Sequence, residues 1–175
     1  QARGLAERIL IVDWDVHHGN GTQDAFFADP SVFYLSLHQS PWYPGTGAAH
    51  ERGAGPGTGT TLNVPVPAGT PRDQYRRRFR SALEQAGETF HPDFVLVSAG
   101  FDAMAGDPLG GLLLEPEDFW GMTGEVMELA RERCRGRVVA VLEGGYDPKR
   151  TALGALALIR GFCDTSLDLA PTPFQ

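Results

Sequence analysis

The chain has few cysteines, no excess of basic charge and no long apolar run, and each deficit removes a class of function. Cys134 and Cys163 are the only two cysteines among 175 residues and lie outside any CxxC pattern. Neither a disulfide framework nor a cysteine zinc site is expected, and both thiols are read as reduced and buried. A net charge of −7 speaks against general nucleic-acid binding, because phosphate recognition needs a basic surface. The cluster Arg76-Arg77-Arg78 with Arg80 falls in an amphipathic pattern and is taken as the solvated face of a helix. No apolar stretch approaches bilayer length, and the N-terminus has no basic segment followed by an apolar one. The expectation is a soluble cytoplasmic protein without direct nucleic-acid or membrane contacts. No repeat or low-complexity segment stands out.

What is present is ordinary globular material, 42% hydrophobic and 21% charged, enough for one sizeable core. A single domain over residues 1–175 is expected, with residues 163–175 an irregular tail. Ile9-Leu10-Ile11-Val12 reads as a strand buried on both faces of a parallel sheet. Such a strand needs neighbours on both sides, so its position so near the N-terminus predicts a chain that begins inside a domain. Residues 19–27 suggest a short helix with Thr22 as N-cap and Asp24 in its first turn. Val32 to Leu37 is a second strand, and residues 40–59 form a long Gly- and Pro-rich loop of the kind that is usually functional. Thr61 to Val66 is a third strand, and Pro71 suits the first position of a helix. The apolar stripe of that helix is Tyr75, Phe79, Ala82, Leu83, Ala86 and Phe90. Phe94 to Val97 is another buried strand. A helix from about Glu115 buries Phe119, Met122, Val126, Leu129 and Ala130, and its N-terminal acids suit the helix dipole. Strand 138–142 and a helix from Pro148 to Phe162 complete an alternating α/β pattern with a mainly parallel sheet.

The regularity that bears on function is that three apolar strands end in polar chemistry: Asp13, Asp15 and His17 after the first, Asp102 after Phe94 to Val97, and Tyr146 after strand 138–142. In a parallel sheet these ends share one edge, where open α/β folds carry their sites. Alternation puts Asp13, Asp15 and His17 on one side, with Trp14 and Val16 on the other. Two carboxylates and an imidazole, Asp15, His17 and Asp102, can hold a divalent metal and leave a position for water and substrate. By ligand type alone zinc, iron and manganese all remain possible. Such a metal polarises a carbonyl and brings the pKa of bound water to about 7, which suits hydrolysis of an amide or ester. Tyr146, after two glycines, could donate to a tetrahedral oxyanion. His38, His50 and His91 show no such convergence and are left as structural.

Several motifs together resemble the histone deacetylase family, including bacterial acetylpolyamine amidohydrolases and acetoin-utilisation proteins. They are Asp13-Trp14-Asp15-Val16-His17-His18-Gly19-Asn20-Gly21-Thr22, Ser36-Leu37-His38, Pro44-Gly45-Thr46-Gly47, the run from Ser98 to Gly111, and Leu142-Glu143-Gly144-Gly145-Tyr146. The Phe101-Asp102, Asn20 and Glu-Gly-Gly-Tyr variants look more like the class II branch. The resemblance implies a three-layer arginase/deacetylase-like α/β fold and zinc held by Asp15, His17 and Asp102. It implies that Tyr146 is the oxyanion donor and that Tyr43, Leu109 and Gly144 line the acyl-lysine pocket. It further implies a structural potassium ion held by Asp13, Asp15, His17, Ser36 and Leu37, with Asp13 also orienting a catalytic histidine.

The family's tandem catalytic histidines lie upstream of the Asp13 strand, where this chain has eight residues. His17-His18 is not that pair, since His17 matches a zinc ligand. The sequence therefore looks like the C-terminal part of a deacetylase domain, expected to be inactive alone. The expected substrate is an acetylated lysine peptide or an acetylated small amine, and a bacterial source is expected. Two other classes compete: an arginase-like ureohydrolase with two manganese ions, which needs more bridging carboxylates, and a non-catalytic binding module.

Overall fold

A computed structural model of the chain describes residues 1 and 3–164. The expected tail therefore lies almost wholly outside the described residues. The elements in order are β1 (Ile9–Asp13), α1 (Asn20–Phe26), β2 (Val32–Gln39), β3 (Thr61–Val66), α2 (Arg72–Phe90), β4 (Phe94–Ala99), α3 (Pro116–Arg133), β5 (Val138–Leu142) and α4 (Pro148–Phe162). A single 3-10 turn, Gly55–Gly57, interrupts the long loop after β2. The five strands form one sheet in the order β3-β2-β1-β4-β5, and every neighbouring pair is parallel. Alternating strands and helices leave this as the natural outcome, because each crossover returns the chain to the same edge of the sheet.

One face of the sheet carries the main core. Leu10 and Val12 of β1, Val95 and Val97 of β4, and the α2 stripe of Tyr75, Phe79, Ala82, Leu83, Ala86 and Phe90 are all buried there. Trp14 extends this core beyond β1, with its ring centroid 6.0 Å from that of Phe79 and 6.3 Å from that of Phe119. On α3, Phe119, Met122, Val126 and Ala130 are fully buried, while Leu129 is half-buried against the same cluster. The opposite face holds only a small cluster of Ile11, Val32 and Tyr34, with Ile9, Phe26 and Leu96 packed against it. Helices on both faces thus give three layers, one of them thin.

β1 has a neighbour on each edge, since β2 and β4, both later in the chain, pair with it; the expectation that the asymmetry corrects is that Phe94 to Val97 is a buried strand. The open part of the sheet is elsewhere. β4 is buried on one face only, with Phe94, Leu96 and Ser98 half-exposed, and on β5 Val139 and Val141 are exposed. Val139 lies beside Leu96 and Val141 beside Ser98, so the bare apolar residues share the face that α1 does not reach.

Smaller differences arise at helix ends. α1 begins at Asn20, so its N-cap is Gly19 without a side-chain cap; Thr22 lies inside the helix and Asp24 outside its first turn. Pro71 is the N-cap of α2 and not its first helical residue, since its extended ψ of 140° precedes the helical turn. Arg76 is not simply solvated: Arg76 and Arg80 both reach Glu125 of α3, at 2.7 and 2.8 Å, tying the two helices together. Cys134 is buried as expected, but Cys163 is exposed at the end of α4. No described helix is long and apolar enough to cross a membrane.

Because Phe79 is completely buried between α2 and the sheet, Phe79→Ala should destabilise the chain by about 3–5 kcal/mol. Urea denaturation of the two proteins side by side measures this, and a loss below about 1 kcal/mol would mean that the site collapses freely.

Candidate metal site and its cleft

The parallel register sets the site. Asp13, the last residue of β1, lies between Ser36 on β2 and Ser98 on β4, so the loops leaving β1 and β4 emerge side by side. β1 stops at Asp13, and Asp15 and His17 therefore belong to the following loop. They nonetheless face the same cleft as Asp13, while Trp14 and Val16 turn into the core. Asp102 follows β4 by three residues and is fully buried.

Asp15, His17 and Asp102 each offer a ligand atom within 4.8 Å of the others, the only such group of His, Cys, Asp and Glu among the described residues. His17 Nδ1 stands 3.1 Å from both Asp15 Oδ1 and Asp102 Oδ2. One ring nitrogen carries at most one proton, so it cannot donate a full hydrogen bond to each carboxylate. A divalent cation among the three would resolve this crowding, and two carboxylates with one imidazole suit it. The remaining carboxylate oxygens are held by backbone. Val16 N–H donates to Asp102 Oδ1 at 2.8 Å, and Gly144 N–H donates to Asp15 Oδ2 at 2.8 Å. Gly144 is required by space, since a Cβ there would run into the Asp102 and Asp15 carboxylates.

Charge crowding shows in the acidities. Burial, and then the adjacent Asp15 carboxylate, push the Asp102 carboxyl well above the usual range. Burial also pushes Asp13 up to about 8, although the Tyr34 hydroxyl opposes it by donating to Asp13 Oδ2 at 2.8 Å. The Tyr146 phenol is raised by burial and by the nearby Asp102 and Asp15, so it remains a protonated donor at neutral pH.

The group opens into a cleft of about 720 Å³. Tyr43 and Tyr146 both meet His17 edge-on, with ring centroids 6.1 and 6.5 Å from its own. Leu109 and Gly144 line the same cleft. Asp13, Ser36 and Leu37, expected to hold a potassium ion, lie at the end of β1 and within β2. Asp13 and Ser36 are register neighbours, Ser36 is hydrogen-bonded to His38 Nδ1 at 2.9 Å, and Leu37 is buried with its carbonyl 3.4 Å from the Tyr75 hydroxyl.

Sequence reasoning overlooked His18 as a structural group. It is buried, with Nδ1 2.7 Å from Thr46 Oγ1 and Nε2 3.1 Å from Gln23 Oε1. Gln23 in turn donates to Glu51 at 2.7 Å, and His38 meets the Gly47 carbonyl at 3.0 Å. These contacts fasten the loop that carries Tyr43. Burial lowers the pKa of His18 and, with His18 beside it, takes His38 down to about 4. His50 is exposed, and His91 caps the C-terminus of α2 in a left-handed conformation. Asp107 was overlooked as well. A turn signal was available, since Asp-Pro-X commonly returns the Asp side chain to the backbone two residues on.

This constellation at the carboxyl ends of β1, β4 and β5 sets three candidate metal ligands and a tyrosine hydroxyl around one cleft. Residues 1–162 match the histone deacetylase domain, and the chain belongs to the histone deacetylase family. It is 46% identical over 156 residues to "Histone deacetylase 10, chloroplastic" of Oryza sativa subsp. japonica, covering 89% of this chain and 35% of that one. It is 42% identical over 160 residues to a "Probable deacetylase" of Archaeoglobus fulgidus, covering 89% and 45%. The crystal structure of an acetylpolyamine aminohydrolase from Burkholderia pseudomallei superposes with a TM-score of 0.82 at 32% identity, covering 91% of this chain and 46% of that one. The chain thus spans between about a third and a half of the length of these relatives.

A raised carboxyl pKa gives metal uptake a definite pH dependence. A cation would bind the ionised Asp102 carboxylate, so binding must displace the proton that burial and the Asp15 charge favour on it. Affinity should climb as pH rises through the neutral range and level off once Asp102 is ionised. Adding a divalent metal to the weakly buffered chain near neutral pH should acidify the solution, as read by an indicator dye. Uptake without proton release would contradict the assignment of these carboxylates.

Proposed function

We propose that this single domain supplies the metal-binding and oxyanion-stabilising side of a zinc-dependent deacetylase that removes acetyl or similar acyl groups from amines. The observation that carries the proposal is the Asp15, His17 and Asp102 group facing Tyr146 across one cleft. The three ligands would hold zinc. When bound, it supplies Lewis-acid polarisation of the acyl carbonyl and activation of water. Tyr146 donates its phenolic proton in a hydrogen bond to the oxygen that becomes negative. Its raised pKa favours this role by keeping the proton in place. Tyr43 and Leu109 flank the acylated side chain, and Gly144 leaves it room. Asp13, Asp15, His17, Ser36 and Leu37 would hold a potassium ion. The substrate is an acetylated lysine peptide or an acetylated small amine, the two classes that the names of similar proteins suggest.

Proton transfer needs a further group. Among the described residues, the other imidazole on the cleft is His18, and both its nitrogens are engaged. Asp13 accepts from Asp15 N–H and from Tyr34, and we assign it the orientation of a catalytic histidine that these 175 residues do not provide. An arginase-like binuclear manganese site is disfavoured, since one ligand group and not two is found among the described residues.

In the full-length gene product, Tyr146→Phe should lower kcat by about 10²–10³-fold with little change in substrate binding. Steady-state kinetics on an acetyl-lysine peptide decide this, and an unchanged kcat would remove Tyr146 from the mechanism. The 175-residue chain by itself should turn over the same peptide at least about 10²-fold more slowly than the full-length product. Equal rates would show that the missing proton-transfer group lies within the chain after all.

A further inference from the structure

Asp107 sits in the loop between β4 and α3, nearly buried, and each of its carboxylate oxygens holds a different wall of the cleft. Oδ1 accepts the backbone N–H of Leu109 at 2.9 Å, and Oδ2 accepts the backbone N–H of Tyr146 at 2.8 Å. The two donors are far apart in sequence. The link continues outward, because the Leu109 carbonyl accepts the indole N–H of Trp42 at 2.9 Å, and Trp42 adjoins Tyr43. One carboxylate thereby joins the loops after β5, β4 and β2.

Tyr146 has particular need of this tether. Its side chain is half-exposed and meets His17 only edge-on, so its placement is governed by its backbone. That backbone follows Gly144 and Gly145, the latter at φ 143°, where the chain has unusual freedom. On the other side Asp147 caps α4 by accepting from Lys149 and Arg150 N–H. Between the glycines and that cap, the bond to Asp107 anchors Tyr146 to a different part of the fold. A hydrogen bond to an ionised acceptor is stronger than a neutral one and directional.

We infer that Asp107 is a positioning residue, which sets the oxyanion donor Tyr146 and the pocket wall Leu109 in a fixed mutual geometry. This rests on the deacetylase role proposed above. Asn at this position keeps the shape but replaces one acceptor with an NH₂ group that faces a backbone donor, so it can hold one wall and not both. Misplacement of a reacting group by about 1 Å can cost on the order of 10²-fold in rate.

Two measurements test this. The first is amide hydrogen exchange on the full-length product. Asp107→Asn and Asp107→Ala should accelerate exchange at Tyr146, Leu109 or both by about tenfold or more, with β4 and β5 protected as before. The second is kinetics of the full-length product on an acetyl-lysine peptide. Asp107→Asn should reduce kcat by about 10- to 100-fold, whereas Trp42→Phe, which cuts only the outer link, should act mainly on KM. Unchanged exchange at both amides, loss of protection spread across the sheet, or a kcat within about twofold of the parent would each overturn the inference. A full-length parent that leaves the peptide intact would instead refute the deacetylase role, with the exchange pattern still deciding whether Asp107 holds the two walls.

Discussion

Two carboxylates and an imidazole are forced together at the end of a buried sheet, and the surrounding structure answers that crowding. Asp15 and Asp102 carry like charges and share one side of the His17 ring. Burial and the neighbouring Asp15 carboxylate raise the pKa of Asp102, and holding the two groups so close costs free energy that a cation would offset. Backbone N–H groups of Val16 and Gly144 point at the same oxygens, and glycines at 100 and 144 remove the side chains that would collide with them. Each of these features makes sense only if the crowded oxygens are wanted.

The sheet makes the crowding possible. Because β1 and β4 are parallel neighbours, Asp102, three residues past the end of β4, arrives beside Asp15, two residues past the end of β1. Trp14 and Val16, alternating with the ligands, lock the loop into the core beneath. The rigid face that carries α2 and α3 thus supports the chemistry, while the cleft walls come from loops fastened by buried polar groups. His18, Gln23 and Glu51 secure one wall, and Asp107 joins the other two. Polar contacts suit this task, since they are directional and specify a position as well as a distance.

Much of this was legible from the residues. The β3 and β5 spans follow from runs of strand-forming residues, and the α2 stripe from an apolar periodicity that reports its burial. The convergence of Asp15, His17 and Asp102 was legible because they follow strands whose direction is known once the sheet is parallel. Helix ends were less so: Thr22 lies three residues past the true N-cap of α1 and Pro71 one residue before the first turn of α2, because the turns are set by the close approach of Gly19 to Tyr34 and Asp13 and by the extended ψ of Pro71. The bare face of β4 and β5 could not be inferred, since Phe94-Val95-Leu96-Val97 is as apolar as β1 and only the reach of α1 distinguishes them.

The sequence by itself determined the elements, the parallel direction of the strands and the kinds of ligand at their ends, because these depend on local periodicity and side-chain chemistry. Tertiary structure alone decided which strands are neighbours, which face is covered and which distant backbone groups meet a given carboxylate. Those outcomes depend on contacts between residues far apart in the chain, such as Asp107 with Tyr146 and Asp15 with Gly144, and no local pattern encodes them.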